Sequence, residues 1–131
     1  MKESYPDQFM VSYENKKKSY LFNLKWEDTH LVLKELSDDQ PDMQENITPT
    51  ASEWLDFWHR MDEIGIWDWY GEYIMTCSDA CMEGDEWEIH ILYGDVRIES
   101  YGANSYPSTF REFVKSLEEL TGVVIEFIQE D

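Results

Sequence analysis

Positive charge is what this chain has least of. Lys and Arg total 10 against 29 Asp and Glu, which leaves a net charge of −19 at pH 7. Such a surface repels nucleic-acid phosphates and anionic lipid headgroups, and this argues against direct nucleic-acid or membrane-surface binding. Cysteine is also scarce, with only Cys77 and Cys81, both in a Cys-Ser-Asp-Ala-Cys run. A secreted disulfide scaffold carries more cysteines and a signal peptide. The N-terminal Met-Lys-Glu-Ser-Tyr-Pro-Asp-Gln has no apolar core of that kind. No apolar run approaches the ~20 residues that a membrane helix requires. A cytosolic protein with both thiols reduced is expected. Catalytic signatures are missing as well: there is no Gly-x-Ser-x-Gly, no Cys–His nucleophile frame, no phosphate loop and no dinucleotide fingerprint.

Aromatic residues are plentiful. Six Trp, eight Tyr and six Phe make up 15% of the chain. Each large ring buries on the order of 150–250 Å², so a core can be built from few residues. That composition argues against disorder. A chain of 131 residues suits one domain and needs no metal or disulfide staple to fold. A single domain over 1–131 is therefore expected.

Periodicity divides the chain further. Residues 8–13 and 19–26 read as a hairpin across Glu-Asn-Lys-Lys-Lys, with Tyr20, Phe22, Leu24 and Trp26 facing the core. Residues 30–36 fit either a strand or a helical turn. Residues 37–50 lose the apolar pattern and carry two prolines, which predicts an exposed acidic loop. Trp54, Phe57, Trp58, Met61 and Ile64 fall on one helical face. Thr50 and Glu53 have capping-box spacing, and Gly65 is a suitable stop. Trp67 and Trp69 alternate around Asp68 as on a strand that resumes at 73–77. Trp87, Ile89, Ile91 and Tyr93 mark a further strand. Gly94-Asp95 reads as a two-residue hairpin loop, and residues 96–101 return. Phe110, Phe113, Val114, Leu117 and Leu120 form a second apolar stripe, on a helix expected from Pro107 and capped by Ser105 or Ser108. Residues 123–128 read as a last strand. The expected fold is α+β: an antiparallel sheet of about five to six strands with two amphipathic helices on one face. Residues 1–36 hold the hairpin region, and 51–131 hold helix, three-strand meander, helix and strand.

Trp87-x-Ile89-x-Ile91-x-Tyr93, followed by Ser100-x-Gly102-x-Asn104-x-Tyr106-Pro107-x-x-Phe110-x-x-Phe113, resembles a pattern found in small acidic α+β proteins of bacteria and phages. Trp67-x-Trp69 and Tyr73 fit the same pattern, which covers about residues 54–121. Its members more often carry a tight Asp-Gly turn before the Trp. This chain instead has Met82-Glu83-Gly84-Asp85 after a Cys-containing insertion. The resemblance implies a structural signature and no activity.

Carboxylate pairs such as Asp38-Asp39 and Glu118-Glu119 sit in no catalytic frame, so no catalytic residue is assigned. Cys77, Cys81 and the scattered His30, His59 and His90 fall short of a four-ligand zinc set, so neither a metal nor a cofactor is expected. His59 and His90 read as surface or boundary residues. Trp67, Trp69, Asn104 and Tyr106 are a possible ligand pocket, although core packing and loop architecture explain them too. Glu35, Asp38, Asp39, Asp42 and Glu45 form a row without Lys or Arg that resembles the charge of a phosphate backbone. Glu86, Glu88 and Glu99 extend it as a candidate partner-binding face.

The reading that follows is a non-enzymatic binding protein that blocks a basic protein surface, as immunity proteins and inhibitors of nucleases or defence systems do. The rivals are a small-ligand binder or enzyme using the aromatic pocket, and a self-associating structural domain.

Overall fold

Alternation of apolar and polar side chains produces most of a seven-stranded sheet, ordered β4-β3-β2-β1-β6-β7-β5. The computed structural model describes residues 4–16, 19–38, 40–74 and 85–125. The strands are β1 (Gln8–Asn15), β2 (Tyr20–Trp26), β3 (Leu31–Ser37), β4 (Gln40–Ile47), β5 (Glu72–Ile74), β6 (Asp85–Tyr93) and β7 (Val96–Ala103). Among the described residues two α-helices, α1 (Ala51–Ile64) and α2 (Phe110–Thr121), accompany the sheet.

The α+β class and the two helices agree with expectation. The purely antiparallel sheet of five to six strands is corrected to seven strands of mixed direction, because β5 runs parallel to β7. The predicted acidic loop at 37–50 is corrected as well, since most of it is β4. That strand lies at the sheet edge, where only its inner side needs apolar residues. Met43 packs against the core and Ile47 is buried, while Asp42, Gln44 and Asn46 stay exposed. Pro41 and the carboxylates suit an edge, where they discourage pairing with another chain.

Trp67 and Trp69 do not share a strand. Gly65 adopts φ 69°, and residues Ile66–Asp68 form one turn of 3-10 helix. The strand begins only at Glu72, at the far edge of the sheet, so the expected meander is replaced by a β6–β7 hairpin with β5 alongside. Residues 123–125 lie in no strand, and 126–128, the rest of the expected last strand, fall outside the described residues.

The inner face explains the aromatic composition. Phe9, Val11, Phe22, Leu24, Leu33, Trp87 and Ile89 point toward the helices and are buried. α1 lays Trp54, Phe57, Trp58 and Met61 on this face, and α2 lays Phe110, Phe113, Val114, Leu117 and Leu120. Thr50 and Glu53 form the expected capping box: Thr50 Oγ1 accepts from the Glu53 N–H at 3.1 Å, and Glu53 Oε1 accepts from the Thr50 N–H at 2.8 Å. α2 begins later than expected, and Thr109 takes the cap position without capping the helix through its side chain; its hydroxyl donates instead to the Ile64 carbonyl at 3.2 Å. Among the described residues, no helix is long and apolar enough to cross a membrane.

Candidate functional site

The predicted acidic row does not form one patch. Strand alternation and cross-strand pairing put Glu35 and Glu45 on the helix-bearing side of the sheet. The Tyr20 hydroxyl donates to Glu35 Oε2 at 2.6 Å, so this carboxylate has a structural partner. Asp38 is exposed at the β3–β4 turn, and Asp39 lies outside the described residues. Asp42 alternates onto the open side with Gln44, which pairs with Lys34.

Glu86, Glu88 and Glu99 share that open side, but β4 is four strand positions from β6, roughly 19 Å at the usual spacing. Lys25 and Lys34 lie on the face between them. The structure does bring Glu88 and Glu99 together around His90: Glu88 Oε2 is 2.5 Å from Nε2 and Glu99 Oε1 is 3.9 Å from Nδ1. Arg97 also reaches Glu99 at 3.6 Å. Lys16 pairs with Glu86, which holds the Glu86 carboxyl below its usual range and raises the Lys16 ammonium. Glu86 and Glu99 are thus partly neutralised by Lys16 and Arg97.

A stronger concentration of carboxylates lies between the helices, where sequence reading placed none. A groove of about 590 Å³ runs between α1 and α2. Glu53, Asp56 and Glu63 of α1 line it with Glu119 of α2, together with His59 and Arg60. Arg60 Nε sits 3.3 Å from Glu63 Oε1, so Glu53, Asp56 and Glu119 outnumber the cationic charge left in the groove. The signal was present in the sequence: Glu53, Asp56, Arg60 and Glu63 recur at i, i+3, i+7 and i+10, which is one helical stripe.

The four residues of the predicted aromatic pocket separate into two places. Trp67 turns toward α1, where its Nε1–H donates to Asp62 Oδ1 at 2.8 Å and its ring stacks on Trp58 at 6.3 Å. Trp69 and Tyr106 join the core beside Trp87 and Phe110. Trp69 donates from Nε1 to Thr109 Oγ1 at 3.1 Å. Asn104, at φ 60°, fastens the start of β6: its Oδ1 accepts from the Asp85 N–H at 3.0 Å, and its own N–H donates to the Asp85 carbonyl at 2.9 Å. Loop architecture accounts for Asn104.

Asp85 gathers two tyrosines at the same end of the sheet. The Tyr13 hydroxyl donates to Asp85 Oδ2 at 3.3 Å, and the Tyr106 hydroxyl donates to the same oxygen. Burial, reinforced by that carboxylate, pushes both phenols above their ordinary range. The arrangement keeps both hydroxyls protonated and ties β1, β6 and the segment before α2 together.

A second cavity, of about 520 Å³, opens at the other end of the sheet, beside the β6–β7 turn. Its walls are Tyr5, Trp58 and Tyr93, with Asp7, Asp62 and Asp95 around them. Trp58 and Tyr93 stack at 4.0 Å with planes 9° apart. The Trp58 indole N–H donates to the Ser4 carbonyl at 2.7 Å. Asp7 Oδ2 accepts from the Gly94 N–H at 2.9 Å, which fixes the N-terminal segment to the turn. The sequence did not announce this site, because its residues come from three separate segments.

Cys77 and Cys81 lie outside the described residues. Among the described residues, no group of three or more His, Cys, Asp or Glu is placed to hold a metal ion. No protein-family model matches the sequence, and no curated protein matches it.

Proposed function

We propose that this chain is a non-enzymatic acidic binding protein that docks on a basic protein surface and blocks it, in the manner of immunity proteins and nuclease or defence-system inhibitors. The observation that carries the reading is the groove between α1 and α2, where Glu53, Asp56, Glu63 and Glu119 face one guanidinium on a chain of net charge −19. Both walls of the groove are helices packed on the sheet, so these carboxylates sit on a rigid support. Their field steers a cationic surface toward the groove before contact. The mechanism is occlusion: carboxylates pair with the Lys and Arg that would otherwise hold a nucleic acid. The resemblance to acidic bacterial and phage proteins is compatible with this role and adds no activity of its own.

The test is affinity capture from a bacterial lysate, with the protein and its E53Q/D56N/E63Q/E119Q variant as baits, in low and high salt. The expected result is a basic protein held at low salt, released as screening shortens to about 8–10 Å, and weakly retained by the variant. The captured protein should lose its grip on nucleic acid when the bait is added. Recovery of no basic protein at low salt, or equal recovery by the variant, defeats the proposal.

A further inference from the structure

We infer that the cavity at Tyr5, Trp58 and Tyr93 receives an arginine side chain presented by the basic partner. The inference rests on the preceding reading and names the residue type that would anchor the complex.

Three features favour this occupant. The first is size: about 520 Å³ falls within the range of ligand-sized cavities, roughly 300–1,000 Å³. The second is the wall chemistry. Tyr5 is 41% exposed with one face stacked on Trp26, and Tyr93 lines the same cavity over the nearly buried Trp58, whose face it covers. Aromatic faces carry negative electrostatic potential and attract cations placed over them. The third is charge. Asp7, Asp62 and Asp95 line the cavity without a Lys or Arg, and none of the three forms an ion pair among the described residues.

A guanidinium satisfies both kinds of wall at once. It is flat, stacks on rings, is weakly hydrated and offers five N–H donors to carboxylates. An ammonium has the charge without the plane. Asp7 and Asp62 are held in place by the donors they already have. The Gly94 N–H bonds Asp7, and the Trp67 indole N–H bonds Asp62. Those two N–H groups also report on the site, since a cation drawing on either carboxylate changes their environment.

The experiment titrates the full ¹⁵N-labelled chain with N-acetyl-arginine methylamide, its citrulline analogue and its lysine analogue. Citrulline keeps the shape of arginine and loses the charge. Saturable shifts of the Trp67 indole and Gly94 amide signals are expected with arginine, at affinity about tenfold above citrulline and above lysine. The D62N/D95N variant keeps an oxygen acceptor for the Trp67 indole, and its spectrum confirms folding. It should weaken arginine binding about tenfold. Equal binding of citrulline, an unchanged variant, or shifts at Glu53 and Glu119 in place of Gly94 and Trp67 overturns the inference. The two proposals fail separately. If arginine binds here but capture yields no basic protein, the blocking role falls and the site stands. If the D62N/D95N bait retains its partner undiminished, the site falls and the blocking role stands.

Discussion

Gly102 pairs with Trp87 across β6 and β7, and the indole lies directly over the place where a side chain would begin. A Cβ added at Gly102 would stand 2.6 Å from Trp87 Cζ2 and closer still to Nε1 and Cε2. The indole cannot easily give way. Its Nε1–H donates to the Ser105 carbonyl at 2.8 Å, and Phe110, Tyr73, Trp69 and Tyr106 surround it at centroid distances of 4.9, 5.8, 6.1 and 6.4 Å. Overpacking a filled core costs about 1–3 kcal/mol. Losing the indole hydrogen bond as the ring shifts adds about 1 kcal/mol. Against this, Gly→Ala reduces unfolded-chain entropy, worth about 0.4–1 kcal/mol where the backbone permits it, and the φ of Gly102 is not left-handed.

The net expectation for Gly102→Ala is a loss of about 2–3 kcal/mol, a fall in Tm of roughly 6–15 °C for a domain of this size. Urea unfolding of four proteins measures it: parent, Gly102→Ala, Trp87→Leu and the double variant. In the Trp87→Leu background the clash is gone, so adding Ala at 102 should be neutral or slightly stabilising. The same penalty in both backgrounds, or none in the parent, would refute the reasoning.

Two further expectations concern stability. Tyr13 and Tyr106 have phenols raised above the ordinary value of 10.0, so the folded chain keeps protons that the unfolded chain releases. Their contribution is full below pH 10 and is lost as pH rises above it. Phenolate absorbance should appear for these two residues only together with unfolding, and Tyr106→Phe should flatten the alkaline decline; an independent, reversible titration of all tyrosines near pH 10 in the folded protein contradicts this. Thr50→Ala removes the acceptor for the Glu53 N–H and should cost about 1 kcal/mol in thermal or urea unfolding. Thr50→Ser should restore most of it, and equal losses in both variants would mean that the cap is not the cause.

The legible parts of the fold were those whose periodicity is enforced along their whole length. α1 and α2 must bury one stripe each, so Trp54–Met61 and Phe110–Leu120 declare a period near 3.6. β1, β2, β6 and β7 sit within the sheet under the helices and alternate accordingly. β4 was missed because an edge strand needs only Met43 and Ile47 inward, and its Pro41 reads as a breaker. β5, over Glu72–Ile74 among the described residues, overlaps the strand expected at 73–77, but its parallel pairing with β7 is something no local pattern encodes. Trp67 and Trp69 looked like neighbours on a strand. A 3-10 turn rotates each residue by about a third of a circle, sending one ring to Trp58 and the other to Trp87. The acidic face failed as one patch for a related reason. Carboxylates adjacent in sequence alternate across a strand, whereas Glu53, Asp56 and Glu63, spread along α1, converge.

β1 occupies the middle of the sheet, with β2 on one flank and β6 on the other. Its second neighbour is encoded far downstream: Val11 aligns with Ile89. At translation speeds of roughly 5–20 residues per second, the ribosome needs about 4–16 s to deliver that partner. For this interval β1 offers the nascent chain an unsatisfied flank carrying Phe9, Val11 and Tyr13. The long wait makes the newborn polypeptide, more than the finished one, the form most exposed to wrong pairing and to capture by chaperones.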